Sequence, residues 1–556
     1  MASPSTSPED FAKAAYDYVV VGGGTAGLVV AARLTENPDI TVAVVEAGGW
    51  DPNVPGVNIP GLVGSTLFNP NHDYAFFTVP QQNSNNRAVY QPRGKGLGGS
   101  STLNFLGMNR PWFVVACTIL MSPSAIEALG NPGWNWESIV TYMKKSEKTY
   151  SLDPGVAKEF TIDLPDEKWH GTSGPLSKSY PTHFNALHTA ITTTFDKVGI
   201  PLNSEPNSGD LLGSSMQFTS VDPTTATRSH SASAYYLPNA ERKNLHVLIN
   251  SPVSKITFVP DSSPLVANGV EVVNDGRKFH LAARKEVIVC AGAFQSPQVL
   301  ELSGIGNKTI LEKHGIQTLL DLPSVGENLQ DHIFSCIINE IDPALTPSIS
   351  PWLKTRRRSR KFRVYNSLPR MRKQLEIQRK WFHDPKSGEA EFIPFPGFFL
   401  PTGLKMTPGM RYSSMTGVIL HPTSRGLLWK PARPGVLLAI VKFGLKLYAT
   451  APWADVVRAP VAPSAEQRAS DEGLVQYIKD TCCPVYHPVG SVSMLPREDG
   501  GVVDPRLRVY GTANVRVIDA SILPISLLAM QEISAHSQAT VYAVAEKGAD
   551  LVKEDM

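Results

Sequence analysis

The sequence predicts an α/β fold: a Rossmann-like dinucleotide-binding domain joined to a second, irregular domain. Three observations carry that expectation. The chain has 556 residues, more than one hydrophobic core usually supports, so two joined domains are expected. Residues 17–49 read strand, glycine turn, helix, strand, the order of a βαβ unit. A further apolar run, EVIVCAGA at 286–293, fits another buried strand late in the same sheet.

Taken in order, DYVVV at 17–21 is a short apolar, β-branched run suited to a buried parallel strand. GGGTAG follows, with Gly22, Gly24 and Gly27 as the pattern glycines. The first permits a tight turn and the second lets the backbone approach a pyrophosphate. The third lets helix and strand pack closely, with the helix N-terminus facing the phosphates. LVVAARLTENP then continues as a helix, and ITVAVVEAGG as the second strand. That strand ends on Glu46, 24 residues after Gly22, where a carboxylate accepts hydrogen bonds from ribose hydroxyls and repels a 2′-phosphate. NADP is disfavoured; the unit alone leaves FAD and NAD open.

Composition narrows the class. Apolar residues make up 42% and charged residues 18%, a balance that folds and excludes a disordered chain. The net charge of +2, from 52 basic and 50 acidic residues, gives no global reason to expect nucleic acid or an acidic membrane. Five cysteines (Cys117, Cys290, Cys336, Cys482, Cys483) match no zinc spacing, so no metal site is expected and reduced thiols in an intracellular protein are the simplest reading. The first residues lack a basic region followed by an apolar run, which points to a cytoplasmic protein with its one sequon, at Asn307, unmodified. The apolar stretch at 112–122, 11 residues long, falls short of the ~20 a membrane span needs. Residues 354–380 hold 12 basic residues and one acid, Glu376. A solvated surface excursion is the expectation there, because no nucleic-acid module accompanies it. Oligomeric state is not legible.

Three further segments carry a resemblance. They are GKGLGGSSTLNFLGMNRP at 94–111, GAFQSPQVLELSGIG at 292–306 with VGENLQDH at 325–332, and a C-terminal block from YHPVGSVSM at 486–494 through VRVIDAS to ISAHSQATVYAVAEKGADL. In content and order the chain resembles the glucose-methanol-choline (GMC) oxidoreductases, fungal secondary-metabolism members above all. The resemblance implies FAD as cofactor, in a Rossmann-like FAD-binding domain with a second α+β substrate-binding domain, an antiparallel sheet flanked by helices. The implied boundaries are 14–110, 215–332 and 495–556 for the first, and 111–214 with 333–494 for the second. It places Gly22, Gly24, Thr25, Ala26, Gly27, Glu46 and Ala47 at the cofactor. Gly98 and Gly99 let a loop lie against the flavin, with Ser100, Ser101 and Asn104 as polar contacts and the backbone of Asn104, Phe105, Leu106 and Gly107 alongside. Val253 falls at the adenine, and Asp519 and Ala520 close over the phosphates and flavin ring. Most of 292–306 is expected to be structural, with Ser296-Pro297 shaping turns under the sheet.

The implied chemistry is oxidation of a small aromatic or polyketide-derived alcohol. A hydroxyl proton is removed while a hydride leaves carbon, and a neutral imidazole suits the proton. The resemblance gives that task to His487 and a second, alkoxide-stabilising role to His536. Electrons pass on to O2 or a quinone. Two other outcomes are a GMC-like lyase or cyclase with structural FAD, and a non-catalytic remnant. Four segments, 112–122, 352–381, 427–435 and 526–531, depart from the family pattern, and retained introns or frame slips are expected to account for some of them.

Overall fold

The structure, a computed structural model, describes residues 4–5, 7–109, 125–160, 162–181, 184, 186–209, 213–343, 352–355, 369–383, 390–395, 397, 407, 410–420, 434–525 and 537–556. Of the departures from the family pattern, 112–122 and 526–531 lie outside the described residues, as do 356–368, 427–433 and His536.

β1 (Ala15–Val21) is buried from Tyr16 onward and β2 (Val42–Val45) throughout, as expected of parallel strands covered on both faces. Between them α1 (Gly27–Leu34) buries every residue but Arg33. A helix that apolar must be covered all round, and the C-terminal helix Ser537–Glu554 closes its outer side. β3 (Leu245–Leu248), β4 (Val253–Phe258), β5 (Ala267–Asn274) and β6 (Arg277–Val289) complete the order β3-β2-β1-β6-β5-β4, with Val515–Val517 beside the end of β6. β3, β2, β1, β6 and Val515–Val517 pair in parallel, while β4, β5 and β6 form an antiparallel meander.

The run at 286–293 is the tail of a longer strand that stops at Val289, and α2 (Gly292–Leu302) follows it. This corrects the expectation of turns at Ser296-Pro297: both lie inside α2. Pro297 lacks the N–H that would bond the carbonyl of Ala293. The Ser491 hydroxyl donates to that carbonyl instead, at 2.5 Å, so the helix tolerates its proline.

The second sheet is antiparallel throughout. β7 (Ile333–Ile341), β8 (Ala390–Phe395), β9 (Arg411–Ile419) and β10 (Val457–Ala462) run in the order β10-β7-β9-β8, continued by Trp352–Thr355 and Ser214–Ser215. Cys483–Pro484 pairs with the start of β7. The apolar stretch VLLAIVKFGLKLYA forms α3 (Pro434–Tyr448) across this sheet. Two glycines bring helix and sheet together: a Cβ on Gly417 would sit 2.3 Å from the Ile440 side chain, and one on Gly444 2.5 Å from that of Ile337. α4 (Asp471–Thr481) packs on α3. The Rossmann-like sheet plus α+β layer is the expected fold class.

Buried side chains gather into two large clusters, one around each sheet. Trp134, Met143 and Tyr180 belong to the first. In the helix Pro369–His383, Leu375 is buried while Lys373, Arg379 and Lys380 are exposed, so this part of the basic run faces solvent. Among the described residues no helix is long and apolar enough to cross a membrane, no His/Cys/Asp/Glu group is placed to hold a metal, and Cys290, Cys336, Cys482 and Cys483 are buried thiols. Cys117 lies outside the described residues.

Candidate active site

One cavity opens beyond the carboxyl ends of β1, β2 and β6 and runs to the second sheet, the crevice where open α/β sheets bind ligands. At its first end Gly22 takes φ +103°, and a Cβ there would lie 2.6 Å from the Cys290 carbonyl oxygen. Gly27 is tighter, since its Cβ would meet the Gly22 carbonyl oxygen at 1.9 Å. Gly24 faces Gly99, whose Cβ would stand 2.7 Å from the Gly24 Cα, so two glycine loops touch back to back. The Glu46 carboxylate joins three backbones, accepting from the N–H groups of Gly23 (2.8 Å), Gly48 (2.8 Å) and Gly96 (3.1 Å).

Gly22, Gly24, Thr25, Ala26, Glu46, Ala47, Gly99, Ser100, Ser101, Asn104, Phe105, Val253, Asp519, Ala520 and His487 all line the cavity. Gly27, Gly98, Leu106 and Gly107 do not. Gly27 packs helix on strand, and Gly98 at φ +95° donates its N–H to the Gly23 carbonyl. Leu106 takes φ +68°, its carbonyl accepts from Ser220, and Gly107 bridges Thr219. Several lining side chains already have protein partners. Ser101 Oγ donates to the Gly98 carbonyl, and Asn104 accepts from Arg228 and donates to Gln538. Asp519 caps α2, accepting from Gly292 N–H and Ser296 Oγ, a negative charge at the positive helix end.

A dinucleotide fits these residues. The N-cap of α1, Ala26, brings no side-chain hydrogen bond to the first turn, which leaves N–H groups for phosphate oxygens. Glu46 has spent three of its roughly four lone-pair directions and keeps one for a ribose hydroxyl. The glycine cradle admits the ligand backbone closely.

At the other end, His487 is 7% exposed and lines the cavity together with apolar residues of the second sheet, Phe334, Ile393, Phe395 and Val418, with Phe105 edge-on to Phe395. Its backbone N–H donates to Asp331 Oδ1 at 2.9 Å, and its ring stands 6.0 Å from that of His332, nearly perpendicular. Burial pushes the Asp331 carboxyl up to about 7, against the pull of the His487 N–H and the Arg93 guanidinium. Arg93, Tyr74, Tyr486 and Gln538 also line the cavity and escaped the reading of the sequence. Tyr486, Gln538 and Asp331 fall inside the segments that carry the resemblance and Arg93 directly precedes one, but no local pattern marks their roles, because the partners of Arg93 and Asp331 are distant in the chain.

Comparison with known proteins identifies the family and the fold. Residues 16–334 match a family model described as GMC oxidoreductase, and residues 423–545 match its C-terminal counterpart. The chain is 31% identical to the dehydrogenase mpl7 of Monascus purpureus, over 98% of this chain and 97% of that protein. It is 32% identical to the GMC oxidoreductase family protein Mala s 12 of Malassezia sympodialis, over 97% and 92% respectively. Among solved structures, an FAD-dependent oxidoreductase from Chaetomium thermophilum superimposes with TM-score 0.84 at 26% identity, covering 97% of this chain and 99% of that one. A fungal aryl-alcohol oxidase shares the fold, with TM-score 0.76 at 24% identity over 97% and 99%.

Proposed function

We propose a reaction from one premise: the chain belongs to the GMC oxidoreductase family. Its cofactor is FAD and its class is that of the FAD-dependent alcohol oxidases and dehydrogenases. Within that class we assign it the oxidation of a small aromatic or polyketide-derived alcohol, in a fungal secondary-metabolite pathway, with His487 as the base. The dehydrogenases among its relatives support the setting.

One observation supports the assignment: His487 lines the same cavity as the glycine loops after β1 and β2 and the apolar side chains of β8 and β9. Bound FAD supplies the hydride acceptor. The chain does the rest. Phe105, Ile393, Phe395 and Val418 exclude water and favour an uncharged, flat or branched substrate. His487 receives the hydroxyl proton as the C–H bond breaks, the task for which a neutral imidazole is suited. Asn104, held by Arg228 and Gln538, keeps the loop from Gly99 to Phe105 in place beside it. His536 is proposed as the second hydrogen-bond donor to the developing alkoxide. The electron acceptor is O2 or a quinone.

The test is anaerobic mixing of purified holoprotein with a panel of primary alcohols beginning with benzyl alcohol, following the flavin absorption. An aromatic member bleaches it, and His487→Ala slows bleaching by about 10²-fold or more. A His487→Ala protein that is reduced at the wild-type rate removes the base assignment. A flavin that no alcohol reduces removes the redox reading.

A further inference from the structure

The peptide group between Tyr486 and His487 is gripped at both ends by buried charge. At its carbonyl, Arg93 Nη2 donates to the Tyr486 oxygen, while Arg93 Nε is anchored on the Pro92 carbonyl. At its N–H, Asp331 Oδ1 accepts from His487 at 2.9 Å. Cation on oxygen and carboxylate on hydrogen follow the direction of the peptide dipole, and both hydrogen bonds are charge-assisted. The grip coincides with strain, because Tyr486 sits at φ +67°, a region that bulky side chains avoid. Such a conformation persists only where the surroundings over-determine it.

The surroundings do so here. Asp331 is 6% exposed, and among the described residues its Oδ2 has no hydrogen-bond partner. A carboxyl desolvated to that degree, with its pKa pushed up to about 7, holds its charge only so far as a nearby cation offsets the burial, and the arginine at the far end of the same peptide is that cation. The Arg93 N–H is itself held by Asp73 Oδ1 at 3.0 Å, and Asp73 Oδ2 takes the Tyr90 hydroxyl. The Tyr90 ring in turn meets that of Tyr486 edge-on at 6.0 Å. The turn is thus fixed from its carbonyl, its N–H and its side chain.

We propose that Arg93 and Asp331 are positioning residues, a charge clamp across the Tyr486-His487 peptide that enforces the left-handed turn and so directs the His487 imidazole into the cavity. The proposal rests on the reading of His487 as the base, and the test separates the two. Asp331→Ala, Asp331→Asn, Arg93→Met and Arg93→Lys are made in the wild-type and the His487→Ala backgrounds. Each purified holoprotein is reduced anaerobically with the fastest alcohol of the panel, benzyl alcohol first, and its bound FAD is quantified.

Asp331→Ala and Arg93→Met are expected to slow reduction at saturating alcohol by about tenfold or more, with the half-saturating concentration changed less than about threefold. Asp331→Asn, which keeps an acceptor oxygen but not the charge, recovers only part of the loss. On the His487→Ala background the same substitutions change the rate by less than about twofold, since the clamp acts only through that imidazole. Crystal structures of the Asp331→Ala and Arg93→Met proteins give a readout apart from turnover: Tyr486 leaves positive φ and the imidazole leaves the cavity. Equal fold-losses in both backgrounds, wild-type rates in the single variants, or an unmoved Tyr486-His487 peptide overturn the clamp. A His487→Ala protein as fast as wild type overturns the base reading instead, and that outcome is seen before any clamp variant is compared.

Discussion

Gly27 shows how little a residue needs to do to be indispensable. A methyl group there would stand 1.9 Å from the Gly22 carbonyl oxygen and 3.2 Å from the Cys290 side chain, so α1 must move off β1 to admit it. Gly27→Ala is therefore expected to destabilise the fold by about 1–3 kcal/mol, the range for overpacking a close contact, and to misplace the α1 N-terminus. FAD retained per mole of purified protein falls well below wild type; full retention with an unchanged melting temperature would disprove the argument. This glycine is legible in the sequence because its reason is local: turn, helix and strand lie within one βαβ unit. Arg93 and Asp331 are not legible in that way. Each acts on a peptide far along the chain, and only the folded molecule brings the three together.

At the scale of elements, regular periodicity was readable and compensation was not. β1, α1 and β2 follow from apolar runs and glycines alone. α2 reads as turns in the sequence because Pro297 normally ends a helix, and the hydroxyl that rescues it comes from Ser491, outside the segment. A buried charge cluster bridging the paired strands Glu147–Thr149 and Leu176–Lys178 likewise has no local sequence signal. Lys178 donates to Glu147 Oε2 (3.0 Å) and to His170 Nδ1 (3.1 Å), and His170 Nε2 faces the Glu205 carboxylate (3.1 Å). An ammonium can only donate, so His170 is held neutral with its proton on Nε2. Burial, then the Lys178 charge, lowers it from 6.5 to about 4, while Glu205 pulls the other way. Its folded value lies below the unfolded one, so its contribution to stability is complete above about pH 6.5 and is lost as pH falls toward 4, on the order of 3 kcal/mol. Denaturant midpoints measured across that window should drop for the wild type, and the drop should be shallower for His170→Gln. Parallel slopes for the two proteins would rule out His170 as the cause.

At the scale of the whole molecule, two sheets with separate cores share one cavity. The Rossmann-like sheet was readable from 33 residues at the N-terminus, residues 17–49. The antiparallel sheet was not readable from periodicity: β7 is buried at eight of nine positions and β9 likewise, which erases the alternation that marks a half-exposed strand. It was expected only through resemblance, and His536 and the segments at 112–122 and 526–531 stay beyond the described residues. The shared cavity has a thermodynamic consequence. The cavity is lined by the loops after β1, β2 and β6 and by side chains of β8 and β9, so FAD, proposed to bind across it, favours the folded form of both halves together. Binding to the native state alone adds RT ln(1 + [L]/Kd), about 2.7 kcal/mol when free FAD is a hundredfold above Kd. Thermal unfolding followed by tryptophan fluorescence should therefore shift upward by several degrees as FAD is restored to stripped protein, with a single transition moving as one. If the cavity couples only the first sheet to the cofactor, the trace splits and the second-sheet transition, where Trp453 is fully buried, stays at its cofactor-free temperature.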